Sequence, residues 1–82
     1  MITKVVVLLV ASSGYQPIEY GVPRMLLEQA GIQVKVASDA KPTAYAQPGS
    51  SIYATAHVDY TLDEINPDAI DGLFVIGGPG AL

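Results

Sequence analysis

Three residues of this 82-residue chain could do chemistry together. Glu19 follows one small-residue loop, and Gly77 and Gly78 form part of another, each loop coming directly after an apolar run. A carboxyl group can hold or pass a proton, and backbone N–H groups in a tight glycine turn can stabilise negative charge developing on an oxygen. Each signal also has a plain structural explanation. A carboxylate near a helix N-terminus complements the helix dipole, and paired glycines supply the positive φ that a turn requires. Chemistry follows only if the fold brings both loops to one place.

The other candidates are weaker. His57 is the single histidine and has no neighbour in sequence to orient it as a base, so a surface or half-buried structural role fits it better. Tyr15, Tyr20, Tyr45, Tyr53 and Tyr60 are packing residues whose hydroxyls need a partner or water. Asp59, Asp63, Glu64 and Asp68 lack the spacing of a calcium loop and read as caps and solvated faces. Gly78-Pro79-Gly80 begins a Gly-x-Gly after an apolar run, but the final glycine, the helix and the downstream acid of a dinucleotide fingerprint do not follow. With no cysteine and one histidine, a four-ligand structural zinc site is excluded. No cofactor is expected.

The elements that must position Glu19 and the glycines are legible. Residues 5–10 are Val or Leu throughout, the unbroken pattern of a strand buried on both faces in a parallel sheet. Residues 11–16 read as a loop. Ile18, Val22, Met25, Leu26 and Ala30 fall at helical spacing, and Gly31 suits the position after the helix end. Pro23 lies inside that pattern and removes the N–H that would bond the Glu19 carbonyl. Either the helix bends there or its regular part begins at Pro23, and both versions leave Glu19 near its start.

Residues 33–38 form a second, less central strand, completing a βαβ unit. Residues 39–51 are a loop, with a short hairpin formed by residues 44–46 and 52–58. Thr61-Leu62-Asp63-Glu64 has the form of a capping box, cut short by Asn66-Pro67. Residues 73–76 are a third core strand ending in the glycine turn. The fold class is α/β with a parallel sheet, residues 1–82 forming a single partial domain.

Composition narrows the partners. Half the residues are apolar and 15% are charged, a balance that folds rather than remaining disordered. A net charge of −4 opposes nucleic-acid binding. The apolar opening run is too short to span a membrane, and its β-branched residues lead into a turn and helix rather than a signal-peptide cleavage site. No membrane association is expected, and cysteine-free composition is compatible with a reducing, cytoplasmic setting.

The string Gly14-Tyr15-Gln16-Pro17-Ile18-Glu19-Tyr20-Gly21-Val22-Pro23-Arg24, continuing through Leu27-Glu28-Gln29-Ala30-Gly31-Ile32 and Val34-Lys35-Val36-Ala37-Ser38, resembles the start of ThiJ/PfpI proteins. Asp59-Tyr60-Thr61-Leu62-Asp63-Glu64 and Asp71-Gly72-Leu73-Phe74-Val75-Ile76-Gly77-Gly78-Pro79-Gly80 resemble later blocks of the same superfamily. It includes PfpI-type intracellular proteases, the parkinsonism-associated deglycase and class I glutamine amidotransferase-like proteins.

The resemblance implies a flavodoxin-like three-layer parallel sheet, of which residues 1–82 are the N-terminal part, and a cysteine nucleophile further along. Glu19 matches the acidic residue that tunes that thiolate, Gly78 matches an oxyanion-hole N–H donor, and Gly77 shapes the turn. Ile76 departs from the pattern, which often has proline there. The absence of cysteine is the larger departure, because without a thiolate the acyl-transfer or glyoxalase-like chemistry does not start.

Two apolar strands call for cover on both faces, while the sequence offers one amphipathic helix. A cysteine-bearing C-terminal fragment or second chain is therefore expected as partner. The resemblance adds an expected homo-oligomer and a small-molecule or peptide substrate. The contrasting expectation is a non-catalytic binding or regulatory module with the same fold.

Overall fold

The computed structural model describes residues 3–78. Residues 79–82, including Pro79 and Gly80 of the glycine run, lie outside the described residues. Strand β1 (Val5–Leu9), strand β3 (Gln33–Ser38), the two-residue β6 (Tyr60–Thr61) and β7 (Gly72–Val75) form a four-stranded sheet in the order β6-β3-β1-β7. All three pairings are parallel, with Val7 opposite both Lys35 and Leu73. Helix α1 (Pro17–Gln29) joins β1 to β3 and packs against β3, the expected βαβ unit.

The unbroken Val/Leu run places β1 between β3 and β7, where Val7 and Leu8, which face opposite sides, are both fully buried. Val6, Leu8, Val10, Val34 and Val36 enter one core cluster with Tyr15, Tyr20, Ala44, Ala56, Val58 and Ile76. Each such aliphatic side chain contributes about 1.5–3 kcal/mol of burial free energy.

Four local expectations change. The loop after β1 contains a further strand, β2 (Ser13–Tyr15), which pairs in parallel with β4 (Thr43–Ala46). β4 in turn pairs antiparallel with β5 (Thr55–His57), giving a second sheet ordered β2-β4-β5. The hairpin is thus narrower on its second arm than expected, because Ile52 and Tyr53 belong to the connecting loop and Tyr53 takes a positive φ of 51°. Tyr60–Thr61 forms the short strand β6 against β3 before the capping-box turn, a strand the pattern did not announce, while α1 runs as one helix through Pro23, one of the two arrangements left open.

The fourth change concerns which face of α1 is buried. Pro17, Tyr20 and Gly21 are buried, whereas Ile18, Val22, Met25 and Leu26 are between 38% and 56% exposed. Side-chain shape decides this. Tyr20 stacks edge-on against buried Tyr15 with ring centroids 5.3 Å apart, and Gly21 leaves room for the Tyr53 ring, which occupies the space that a Cβ would need. Aliphatic spacing alone selected the opposite stripe.

β7 lies at the edge of the described sheet, with Leu73, Phe74 and Val75 49%, 51% and 70% exposed. Its apolar run has the composition of a core strand, but no described element covers it. The Thr61–Glu64 segment forms one 3-10 turn, Leu62–Glu64, in which the Glu64 carboxylate accepts the Thr61 N–H at 2.8 Å. No described helix is long and apolar enough to cross a membrane.

Candidate functional site

The site is built where β1 and β7 end. Ile76, buried beneath it, donates its N–H to the Leu9 carbonyl at 2.9 Å, extending the β1–β7 ladder by one step. The next residue leaves that ladder and meets the start of α1, where the Gly77 carbonyl accepts the Gln16 N–H at 2.8 Å. The loop before the helix and the turn after the last strand are thereby joined.

Gln16 caps α1. Its backbone is extended (φ −81°, ψ 116°) and its side-chain Oε1 accepts the Glu19 N–H at 2.8 Å, satisfying one of the donors that the first helical turn leaves free. Pro17 follows at the first helical position, where its missing N–H costs nothing. This places Glu19 in the first turn, where a negative charge is favoured by the helix dipole. Pro23 has no N–H to bond the Glu19 carbonyl four residues earlier.

From that turn the Glu19 carboxylate reaches across to the second loop. Its Oε1 accepts the Gly77 N–H at 3.3 Å. A Cβ on Gly77 would stand 3.0 Å from the same oxygen, so the carboxylate occupies the space that glycine leaves open. Gly78 is constrained differently. Its φ is 132°, and a Cβ there would come within 2.6 Å of both the Gln16 nitrogen and the Gly14 oxygen. The three residues singled out from sequence thus converge. The carboxylate's partner is Gly77, and the glycine-requiring backbone of the turn belongs to Gly78.

Supporting contacts hold the loops around this point. After β3, the Asp39 carboxylate accepts the Ser12 N–H at 2.9 Å and the Ser12 hydroxyl at 3.1 Å, tying the end of β3 to the loop after β1. The Ser12 backbone bond, followed by that of its hydroxyl, holds the Asp39 carboxyl below its ordinary range. Beneath the loop, Tyr15 is fully buried and its hydroxyl donates to the Tyr53 carbonyl at 2.7 Å. Burial, with the neighbouring Tyr20 adding to it, pushes the Tyr15 phenol up to about 12.

Sequence reasoning passed over Gln16 and Asp39. Gln16 lacks the short Ser, Thr, Asp or Asn side chain that marks a helix start, though an amide three residues before Glu19 and immediately before Pro17 was a usable signal. Asp39 acts across 27 positions, and no local pattern announces that. His57 closes β5 with its side chain 75% exposed, 3.8 Å from Asp59. Tyr15 and Tyr20 are core residues, whereas Tyr45 and Tyr53 are exposed. Among the described residues, no group of three or more His, Cys, Asp or Glu side chains is placed to hold a metal ion.

Comparison with known proteins bears on the family and the fold. The sequence pattern of the DJ-1/PfpI family matches residues 4–81. The chain is 32% identical over 72 residues to Deglycase PfpI of Pyrococcus furiosus, an alignment covering 88% of this chain and 41% of the relative. A crystal structure of a ThiJ/PfpI domain protein from Brachyspira murdochii superposes with a TM-score of 0.85 at 24% identity, over 98% of this chain and 44% of that one. The crystal structure of the VC2308 protein gives 0.81 at 26% identity, over 98% and 39%. The chain therefore spans less than half the length of these proteins, and its α/β parallel-sheet fold is theirs. With an acidic residue at the first helical turn set against the glycine turn after β7, and a family match over nearly its whole length, the chain belongs to the DJ-1/PfpI family.

Proposed function

We propose that this chain supplies the acidic residue and the oxyanion-loop glycines of a cysteine-dependent hydrolase or glyoxalase/deglycase-type site, with the thiol contributed by sequence outside these 82 residues. The observation that carries the reading is the contact between Glu19 Oε1 and the Gly77 N–H at the ends of β1 and β7. In open α/β sheets, the crevice beyond the carboxyl ends of the strands is where ligands bind.

In this reading Glu19 is the proton-managing group. Its carboxyl group hydrogen-bonds the incoming thiol and keeps it ready for attack on a carbonyl carbon. Gly77 shapes the turn, and the Gly78 backbone N–H is the donor to the oxygen on which charge develops. The deglycase activity named for the Pyrococcus relative makes carbonyl compounds and their adducts the first substrates to try. The exposed apolar residues of β7 are the surface on which the thiol-bearing segment completes the sheet. In this reading the assembly is a cytoplasmic homo-oligomer, as the family resemblance implies.

The test is to purify the chain with any copurifying polypeptide and identify a cysteine-bearing partner by mass spectrometry. The assembled pair is then assayed for consumption of a reactive dicarbonyl and for amide hydrolysis. The expected turnover is thiol-dependent and falls by about 10²-fold or more in Glu19→Ala, the range typical of losing a positioned acid–base group. A folded pair that binds such compounds without thiol-dependent turnover would instead make this a binding module.

A further inference from the structure

Three backbone and side-chain hydrogen bonds close a ring at the site. Gln16 donates its backbone N–H to the Gly77 carbonyl at 2.8 Å. Gly77 donates its N–H to Glu19 Oε1 at 3.3 Å, and Glu19 donates its own N–H to Gln16 Oε1 at 2.8 Å. Each residue gives one bond and accepts one. We propose that Gln16 is the positioning residue of the site, holding the Glu19 carboxylate in register with the glycine turn; the importance of that register rests on the function proposed above.

Geometry makes Gln16 the hub. It bonds both partners of the Glu19–Gly77 contact, while its carbonyl also accepts the Tyr20 N–H at 3.2 Å and so belongs to the first helical turn. Its backbone nitrogen sets the space at Gly78, since a Cβ there would lie 2.6 Å from it. The side chain therefore fixes where α1 begins, and the main chain fixes where the turn after β7 lies. Glu19 spans the gap between those two fixed points. The three bonds are linked through the saturated carbons of the three residues, so each constrains the geometry of the others and removing one loosens the rest.

The amide chemistry is also suited to the task. Serine, threonine, aspartate and asparagine are the usual caps, and an acidic cap would add a second negative charge beside Glu19. Glutamine supplies the acceptor oxygen without charge. Glu19 then carries the only acidic side chain of the first helical turn, and the charge available to the turn is set by one group.

The experiment uses the 82-residue chain without any thiol. Long-range NMR couplings across hydrogen bonds are measured between the Glu19 nitrogen and the Gln16 side-chain carbonyl, and between the Gln16 nitrogen and the Gly77 carbonyl. Both are expected, and absence of the Glu19–Gln16 coupling in the native chain overturns the proposal. The Gly77 amide proton shift is then compared between the native chain and Glu19→Gln, and the same comparison is repeated in Gln16→Met and Gln16→Asn backgrounds. Gln16→Met keeps the length and removes the acceptor, and the difference should fall to about half or less, as expected for coupled neighbours. Gln16→Asn keeps an uncharged capping oxygen and should preserve it. An equal difference in the native and Gln16→Met backgrounds rejects the positioning role. Because no turnover is read, loss of the proposed enzymatic function would leave this result standing, and loss of the ring would leave the turnover assay to be judged separately.

Discussion

The Gly77 amide nitrogen stands 3.3 Å from Glu19 Oε1, across 58 positions of sequence. The two glycines of the turn are glycine for different reasons, and that difference can be measured. A Cβ at Gly77 meets the end of a movable carboxylate, whereas a Cβ at Gly78 meets backbone atoms and requires a φ of 132°. Gly77→Ala should displace Glu19 and cost about 1 kcal/mol or less, while Gly78→Ala should cost roughly 2–4 kcal/mol, combining backbone strain with overpacking. Urea unfolding of both variants checks the order. Equal losses would contradict it.

Tyr15→Phe removes the hydroxyl that donates to the Tyr53 carbonyl at 2.7 Å while keeping the ring. The expected loss is about 0.5–1.5 kcal/mol, the net worth of one such bond. With the folded-state phenol raised to about 12 from 10.0, the stability linked to its protonated form is complete below pH 10 and is lost as pH rises towards 12. Ultraviolet titration should show one late-ionising tyrosine in the native chain, absent from Tyr15→Phe.

At Gly21 two opposing effects meet. Alanine would gain about 1 kcal/mol of helix propensity, but its Cβ would occupy the position of the Tyr53 ring. Displacing that ring costs roughly 1–3 kcal/mol and disturbs the edge-on contact between Tyr20 and Tyr53, whose centroids are 6.4 Å apart. The net expectation is destabilisation. A higher melting temperature for Gly21→Ala would show that the Tyr53 contact contributes little.

Glu64 accepts from Lys41 Nζ at 2.8 Å and from the Thr61 N–H at 2.8 Å. These bonds, Lys41 first, hold its carboxyl down at about 2 against an ordinary 4.5. A depressed carboxyl contributes stability above its unfolded value and loses it as pH falls, so this contribution should fade between pH 4.5 and about 2. The group is fully exposed, and salt should weaken the effect. Carbon-13 titration of the Glu64 carboxyl reads the midpoint directly; a midpoint at the ordinary value would remove the Lys41 contact from the account.

Val75 is 70% exposed on the edge strand β7. Unpaired apolar edges promote association, and a charged residue there blunts it. Val75→Lys should therefore reduce self-association of the isolated chain, as sedimentation velocity would show.

Local pattern was sufficient for β1, β3 and β7, but not for the two-residue edge strand β6. Six successive Val and Leu residues at 5–10 could be satisfied only by burial on both faces, and strand, helix and strand within about 35 residues imposes a parallel crossover. Glu19, Gly77 and Gly78 were legible as candidates through the blocks that resemble ThiJ/PfpI proteins, since a carboxylate near a helix start and paired glycines in a turn are, taken alone, ordinary local features. Helix α1 was legible as a helix from its spacing, but not in its orientation. Its aliphatic stripe of Ile18, Val22, Met25 and Leu26 faces outward, since the rings of Tyr15, Tyr20 and Tyr53 need the space that Gly21 and Pro17 leave on the other side.

Strand β2 escaped notice for a related reason. Three residues acquire strand geometry only when a distant partner, here β4, presents its backbone to them. The same holds for the contact of Glu19 with Gly77, the capping of Glu19 by Gln16, and the tie of Asp39 to Ser12. Composition and spacing dictate which segments must be buried and which can turn, because those preferences belong to a residue and its immediate neighbours. Which atoms then meet depends on how the packed layers close, and hydrogen bonds only 3 Å or so long discriminate between arrangements that a periodic pattern treats as equal.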